Sequence, residues 1–254
     1  MLIDSHCHLL DARLNAEEEI ARMKEDGLLA VVENGFDLDS SRRASELAQR
    51  HEGVYCAVGC HPEEAGGYKA EDEEEYLALC ALPKTVAVGE IGLDYYYEIA
   101  PRDVQRKVFI AQLIWAHKAK KPVNLHIRDA YGEAYAILKE HRELLTDGFL
   151  LHCYGGSAEM AERFAEMGAY FAFGGVITFK NAKKEDVLKS VPKDRLLFET
   201  DCPYMTPEPF RGRVNRPAYV KYVVKRAAEI LGMSEEEAGR LSVENTLRYY
   251  RIAK

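Results

Sequence analysis

Eight short apolar runs alternate with helical segments along this chain, and that alternation limits its fold more than any other feature. The runs fall at Ile3–His8, Leu28–Val32, Val54–Gly59, Thr85–Gly92, Pro122–His126, Phe149–His152, Ala169–Phe173 and Arg195–Asp201. Strands separated by helices must pair in parallel, and eight such repeats close the sheet on itself. The expectation is an α/β chain folded as a (β/α)8 TIM barrel, with residues 1–254 forming one domain. Its 254 residues match the roughly 250 that such a barrel uses.

Helix starts can be read between the runs. Asn15 with Glu18, and Ser234 with Glu237, have capping-box spacing. Asp39 is expected to open a helix reaching about His51, and Ser157 to cap another. The acidic run from Glu71 to Glu75 suits a helix N-terminus, where carboxylates complement the dipole. Helices are also expected from about Arg102 to Lys120 and from about Ala130 to Leu145. Trp115 falls on an apolar helix face and reads as core. His51, His117 and His141 fall on helices and read as surface residues.

Composition narrows the function classes. A net charge of −8 argues against broad coating of nucleic acid but leaves room for a local basic cleft. No stretch approaches the roughly 20 apolar residues of a membrane span. With no basic, apolar leader at the start, a cytoplasmic protein that avoids membranes is expected. The six cysteines are scattered without a CxxC pair, so free buried thiols are expected.

In a closed parallel barrel the carboxyl ends of all strands meet at one rim, where chemistry sits. Here those ends carry His6 and His8, then His61, Glu90, His126, His152 and Asp201. Residues i and i+2 of a strand share a face, so His6 and His8 project together while Cys7 points away. One strand-end histidine is more often a satisfied structural group than a ligand. Seven ionisable residues on one rim are hard to explain as packing, because each is costly to bury without partners.

Four imidazoles and two carboxylates suit two divalent ions, zinc or manganese before magnesium. Glu90 has two oxygens and could bridge ions held roughly 3.5–4 Å apart. His6, His8 and Asp201 would complete one ion, because the first and eighth strands are neighbours in a closed barrel. His126 and His152 would complete the other. Two metals lower the pKa of a shared water, and Asp201 is placed to take its proton.

These residues sit in motifs that resemble the TatD family of metal-dependent hydrolases and deoxyribonucleases, within the amidohydrolase-like barrels. The motifs are Asp4-Ser5-His6-Cys7-His8-Leu9, Gly59-Cys60-His61-Pro62, Gly89-Glu90-Ile91-Gly92-Leu93-Asp94-Tyr95, Leu125-His126-Ile127-Arg128-Asp129, His152-Cys153-Tyr154-Gly155-Gly156 and Glu199-Thr200-Asp201-Cys202-Pro203-Tyr204. They appear in family order over nearly the whole chain. The resemblance implies a two-metal site from His6, His8, Glu90, His126, His152 and Asp201, with Glu90 and Asp201 catalytic. It also implies hydrolysis of DNA, single-stranded or at 3′ ends.

Other residues carry weaker expectations. His61 is spare in the ligand count and is expected to contact substrate phosphate, or else to cap a loop. Arg128 could clamp a phosphate or pair with a carboxylate. Asp94 and Tyr95 could line the cleft, Asp129 could cap the next helix, and Glu199 could support a ligating histidine. Between Pro209 and Ala228, Arg211, Arg213, Arg216, Lys221, Lys225 and Arg226 occur with no acidic residue. That asymmetry suits an anionic polymer, or a solvated helix face for the later members. Asn215 and the arginines beside it resemble the family's loop motif.

Three rivals share the pattern. One keeps the barrel and metals but attacks a small ester, amide, lactone or phosphoester. Another is a PHP-type phosphoesterase, which also begins with a His-x-His strand but fits the motifs less well. The third is a binding module with closed, purely structural metal coordination.

Overall fold

A computed structural model describes residues 1–253 of the chain. The eight strands are β1 (Leu2–Cys7), β2 (Leu28–Asn34), β3 (Val54–Val58), β4 (Thr85–Asp94), β5 (Val123–Arg128), β6 (Phe149–Leu151), β7 (Tyr170–Phe173) and β8 (Leu196–Phe198). They lie in chain order, each parallel to the next. The helices are α1 (Ala16–Arg22), α2 (Leu38–Arg50), α3 (Glu73–Cys80), α4 (Arg102–Ala119), α5 (Tyr131–Glu140), α6 (Ala158–Glu166), α7 (Glu185–Ser190), α8 (Val220–Leu231) and α9 (Glu235–Tyr249). The result is the expected (β/α)8 barrel.

The eighth strand is shorter than its apolar run suggests. It stops at Phe198; the Glu199 N–H still donates to the Phe173 carbonyl of β7 at 3.2 Å, and Thr200 and Asp201 turn to β1. Asp201 adopts φ 54°, a left-handed conformation that no strand contains and that aspartate tolerates better than most residues. These departing residues close the barrel against β1. The Asp201 N–H donates to the His6 carbonyl at 3.0 Å and the His8 N–H to the Cys202 carbonyl at 2.8 Å. The Thr200 N–H donates to Asp4 Oδ1 at 2.8 Å, and the Ser5 hydroxyl to the Phe198 carbonyl at 3.0 Å.

Side-chain alternation divides the core into two layers, as a period of two requires. Val31, Val58, Val88, Leu151, Phe171 and Phe198 face outward to the helices. Val32, Ala57, Ala87, Leu150, Ala172 and Leu197 form a second cluster with Tyr249 and Tyr250. Three alanines leave room there for two tyrosines from the end of α9. The Tyr249 hydroxyl donates to the Val123 carbonyl at 2.8 Å and the Tyr250 hydroxyl to the Ser5 carbonyl at 2.9 Å. That packing fills the end of the barrel away from the polar rim.

Several local expectations change. Asp37, not Asp39, caps α2: its carboxylate accepts the Ser40 N–H at 2.7 Å, and the Ser40 hydroxyl accepts the Asp37 N–H at 2.9 Å. Asp129 does not cap α5. It is exposed, at φ 53°, and the residue before the helix, Ala130, makes no side-chain cap. Asn15 and Ser234 cap α1 and α9. Trp115 is fully buried, stacked 5.2 Å from Tyr76. The cysteines are free; Cys153 is half-buried and the other five are buried. No helix among the described residues is long and apolar enough to cross a membrane.

Candidate metal centre

The barrel gathers His6, His8, Glu90, His126, His152 and Asp201, the residues expected to meet, around the Glu90 carboxylate. Its two oxygens face different groups. Oε2 lies 3.4 Å from His6 Nε2 and 3.5 Å from His8 Nε2. Those two nitrogens are 3.3 Å apart, and Asp201 Oδ1 lies 3.5 Å from His8 Nε2 and 4.0 Å from His6 Nε2. Oε1 lies 2.7 Å from His152 Nε2 and 2.9 Å from His126 Nδ1, which are 3.4 Å from each other. His61 Nε2 is 3.5 Å from the same oxygen.

These spacings suit metal ligands. Four atoms at the roughly 2.0–2.1 Å of zinc–nitrogen bonds stand about 3.3 Å apart at tetrahedral corners. The Oε2 group approaches that spacing on most edges. The donor groups also overlap, since His6 stands with His152 and Asp201 as well as with His8 and Glu90.

The far side of each ring states its role more sharply. His8 Nδ1 meets the Asn34 carbonyl at 3.1 Å. His126 Nε2 meets Asp94 Oδ2 at 2.8 Å. His152 Nδ1 faces Glu199 Oε1 at 3.6 Å, and that oxygen accepts the Cys153 N–H at 2.5 Å. Behind His8 and His126 the acceptor holds the proton there and leaves a lone pair toward Glu90, as a metal ligand requires; His152 Nδ1 faces its carboxylate without a hydrogen bond, and His6 Nδ1 has no partner among the described residues. His61 is the reverse. Its Nδ1 accepts the Glu63 N–H at 3.2 Å, so the neutral ring carries its proton on Nε2 and offers a donor to the site. His61 therefore caps a turn, the second of its two expected roles, while its Nε2 faces the centre.

Electrostatics follow from this packing. Burial pushes the Glu90 carboxyl up, but the imidazoles, His152 and His61 first, outweigh it and hold it well below the carboxylate range. Burial also pushes Asp201 up, and His8 and His152 bring it down. Burial lowers His8, but Asp201 and Glu90 raise it well above the ordinary imidazole value. His126 and His152 rise for the same reason, against burial, through Asp94 with Glu90 and Glu90 with Glu199 respectively. His6 and His61 are held low by burial and then by the neighbouring rings of His152 and His126.

Asp94 is the residue that sequence reasoning undervalued. It does not line the cleft; it is buried at the end of β4 and orients His126. Its place opposite Arg128 in the β4–β5 register, which brings it beside His126, is set by the sheet and not by local sequence. Glu33 was not anticipated either. Burial pushes its carboxyl up to about 7, and it accepts the Leu9 and Leu10 N–H groups at 2.5 and 3.3 Å, fixing the chain just after His8.

The centre floors a cleft of about 910 Å³. His61 and Arg128 line it, but the basic stretch does not. Arg216 is engaged elsewhere, bonded to Glu19 at 3.0 Å and Asp26 at 3.3 Å. Arg226 pairs with Glu185 and Glu229. Arg211 stacks 3.9 Å from Phe179 and Arg213 5.6 Å from Phe210, while Lys221 and Lys225 are exposed on α8. The acidic partners come from distant segments, which a local charge count does not see. Asn215 is buried and donates to the Thr200 and Tyr204 carbonyls at 2.8 and 2.6 Å, holding the loop that carries Asp201. The cleft's own fixed cations are Arg43, Arg128 and Lys184. Arg128 makes no ion pair among the described residues; its guanidinium stacks 3.8 Å from Tyr96. His51, His117 and His141 stay on the outer helices and connections, half-buried and away from the centre.

Comparison with known proteins agrees with this fold. The family described as TatD related DNase matches residues 3–251. The chain is 42% identical over 255 residues to the uncharacterized metal-dependent hydrolase YabD of Bacillus subtilis, covering 99% of this chain and 100% of that one. It is 30% identical over 242 residues to a protein of Citrobacter rodentium named 3′-5′ ssDNA/RNA exonuclease TatD, covering 93% and 92%. The crystal structure of YJJV, a TatD homolog from Escherichia coli K12, superposes with a TM-score of 0.93 at 29% identity, covering 99% and 98%. The chain thus belongs to the TatD family of metal-dependent hydrolases.

Proposed function

We propose that this protein hydrolyses phosphodiester bonds of DNA, acting on single strands or 3′ ends, with two divalent ions at the Glu90 centre. The observation that carries this reading is the division of labour at Glu90, whose two oxygens each face a separate group of imidazole donors. His6, His8 and Asp201 would hold one ion and His126 and His152 the other, with Glu90 between them. The imidazole-rich set favours zinc or manganese over magnesium. Bound there, such ions lower the pKa of water toward neutrality and offset charge growing at phosphorus.

The chain's own groups supply the rest. Asp201 is ionised at neutral pH, because His8 and His152 outweigh its burial, and it accepts the proton of the attacking water. The water oxygen attacks phosphorus in line and a sugar oxygen departs. His61 donates from Nε2 to a phosphoryl oxygen. Arg128, without a carboxylate partner, offers a planar fork of donors to the same phosphate. Seven carboxylates and three fixed cations line the cleft, and the raised imidazoles of His8, His126 and His152 add positive charge to it. The exonuclease name of the Citrobacter relative supports a nucleic-acid substrate with attack from the 3′ end.

The test is a screen of metal-reconstituted protein against single- and double-stranded DNA, RNA, small phosphoesters and small carboxylic esters and amides, with Glu90→Ala as control. Metal-dependent cleavage of single-stranded DNA that the variant lacks is expected. Turnover of small esters or amides with none of DNA would assign the site to amidohydrolase chemistry instead.

A further inference from the structure

We infer that the cleft mouth carries two stacking stations for nucleobases, one on each side of Glu90. Tyr204 stands beside His8, and Tyr97 with Arg128 stands beside His126. Together they hold the two bases that flank the cleaved linkage of a single strand. The inference rests on the phosphodiesterase reading above and adds to it the part of the substrate that carries no charge.

Each station combines exposure with order, which surface aromatic rings seldom do. Tyr204 is 46% exposed, yet it is held at both ends. The Arg13 guanidinium lies 4.3 Å above its ring, and the Tyr204 hydroxyl reaches Asp11 Oδ2 at 3.5 Å. Arg13 is itself fixed to Asp11 by two bonds of 2.8 Å. The ring stands edge-on to His8, 6.2 Å between centroids, on the Oε2 side of Glu90.

On the Oε1 side, Tyr96 and Tyr97 are 58% and 55% exposed and meet edge to face at 4.9 Å. The Arg128 guanidinium lies 3.8 and 4.7 Å from their ring centres. The N–H groups of both tyrosines donate to Asp94 Oδ1 at 2.9 and 2.8 Å. The other oxygen of that carboxylate holds His126. A single carboxylate thus ties this station to the metal donors, as the chain following His8 ties the other.

Preordered rings make binding cheaper, because little side-chain freedom is lost when a ligand arrives. Every base has a π-face, so stacking accepts any sequence. A base inside a duplex is already stacked on both neighbours, so such stations select single strands or frayed ends. Placement on opposite sides of Glu90 sets one base on each side of the phosphate between them.

The experiment measures fluorescence anisotropy of 5′-labelled tetrathymidylate, with a phosphorothioate at its 3′-terminal linkage, on the manganese-loaded protein. An abasic site at the terminal or the penultimate nucleotide is expected to weaken binding roughly tenfold each. One at the 5′ nucleotide should cost less than about twofold. Tyr204→Ala and Tyr97→Ala should each erase one of the two penalties, and Tyr204→Phe should keep its penalty because the ring remains. Penalties that are absent, equal at all positions, or undiminished in the alanine variants overturn the inference. So does a duplex that binds as tightly as the single strand. Hydrolysis of the all-phosphate oligonucleotide is followed separately. Cleavage without abasic penalties removes the stations and keeps the phosphodiesterase reading; penalties without cleavage do the opposite.

Discussion

Asp94→Asn tests the arrangement of the centre with one atom exchanged. Asp94 Oδ1 accepts the Tyr96 and Tyr97 N–H groups, and Oδ2 faces His126 Nε2 at 2.8 Å. Asparagine has only one oxygen for these two tasks. If its amide nitrogen faced the turn, two backbone donors would lose their acceptor, at about 1–3 kcal/mol for each buried one. The oxygen therefore stays with the turn, and the amide nitrogen meets His126 Nε2. The ring must then accept at Nε2 and carry its proton on Nδ1, the atom 2.9 Å from Glu90 Oε1. A protonated Nδ1 cannot ligate. Loss of a supporting partner behind a ligating histidine typically weakens metal binding 10–100-fold, about 1.4–2.7 kcal/mol. Competition titration against a chromophoric chelator should show one equivalent bound as in the native protein and the second weakened by that factor. The melting temperature in EDTA should move little. Two unchanged equivalents, or two weakened alike, would refute the assignment of His126 to its own ion.

Three further outcomes are expected. Glu90→Ala and Asp201→Ala should each abolish metal-dependent hydrolysis while circular dichroism stays native, and full activity in either would sink the mechanism. In EDTA, the raised folded-state values of His8, His126 and His152 give stability that is complete below the unfolded value of about 6.5 and lost as pH climbs through the folded values. The melting temperature should therefore fall above about pH 6.5, while the increment on adding metal grows as the same imidazoles shed protons; a flat metal increment would contradict this. Arg216→Ala should cost about 1 kcal/mol in urea unfolding, because it severs the link to Glu19 and Asp26, and should leave KM for DNA unchanged; a raised KM at native stability would return this residue to the substrate path.

What the amino-acid order determined is what local periodicity can carry. Apolar runs spaced by helix-length segments specify parallel strands, and the closing of eight of them brings every carboxyl end to one rim. The identities of His6, His8, Glu90, His126, His152 and Asp201 could be read as a set because each follows an apolar run, although β4 and β5 continue past Glu90 and His126 to Asp94 and Arg128. Tertiary structure decided the relations between them. Thr200 finds the Asp4 carboxylate 196 positions away, and Asp201 turns inward through a left-handed backbone that nothing in its neighbourhood announces. Which oxygen of Glu90 each imidazole faces, which nitrogen of His61 keeps its proton, and why Arg216 is unavailable to substrate all depend on groups far off in the chain. Hydrogen bonds and ion pairs act over a few ångströms of space, and sequence separation says little about that distance until the barrel has closed.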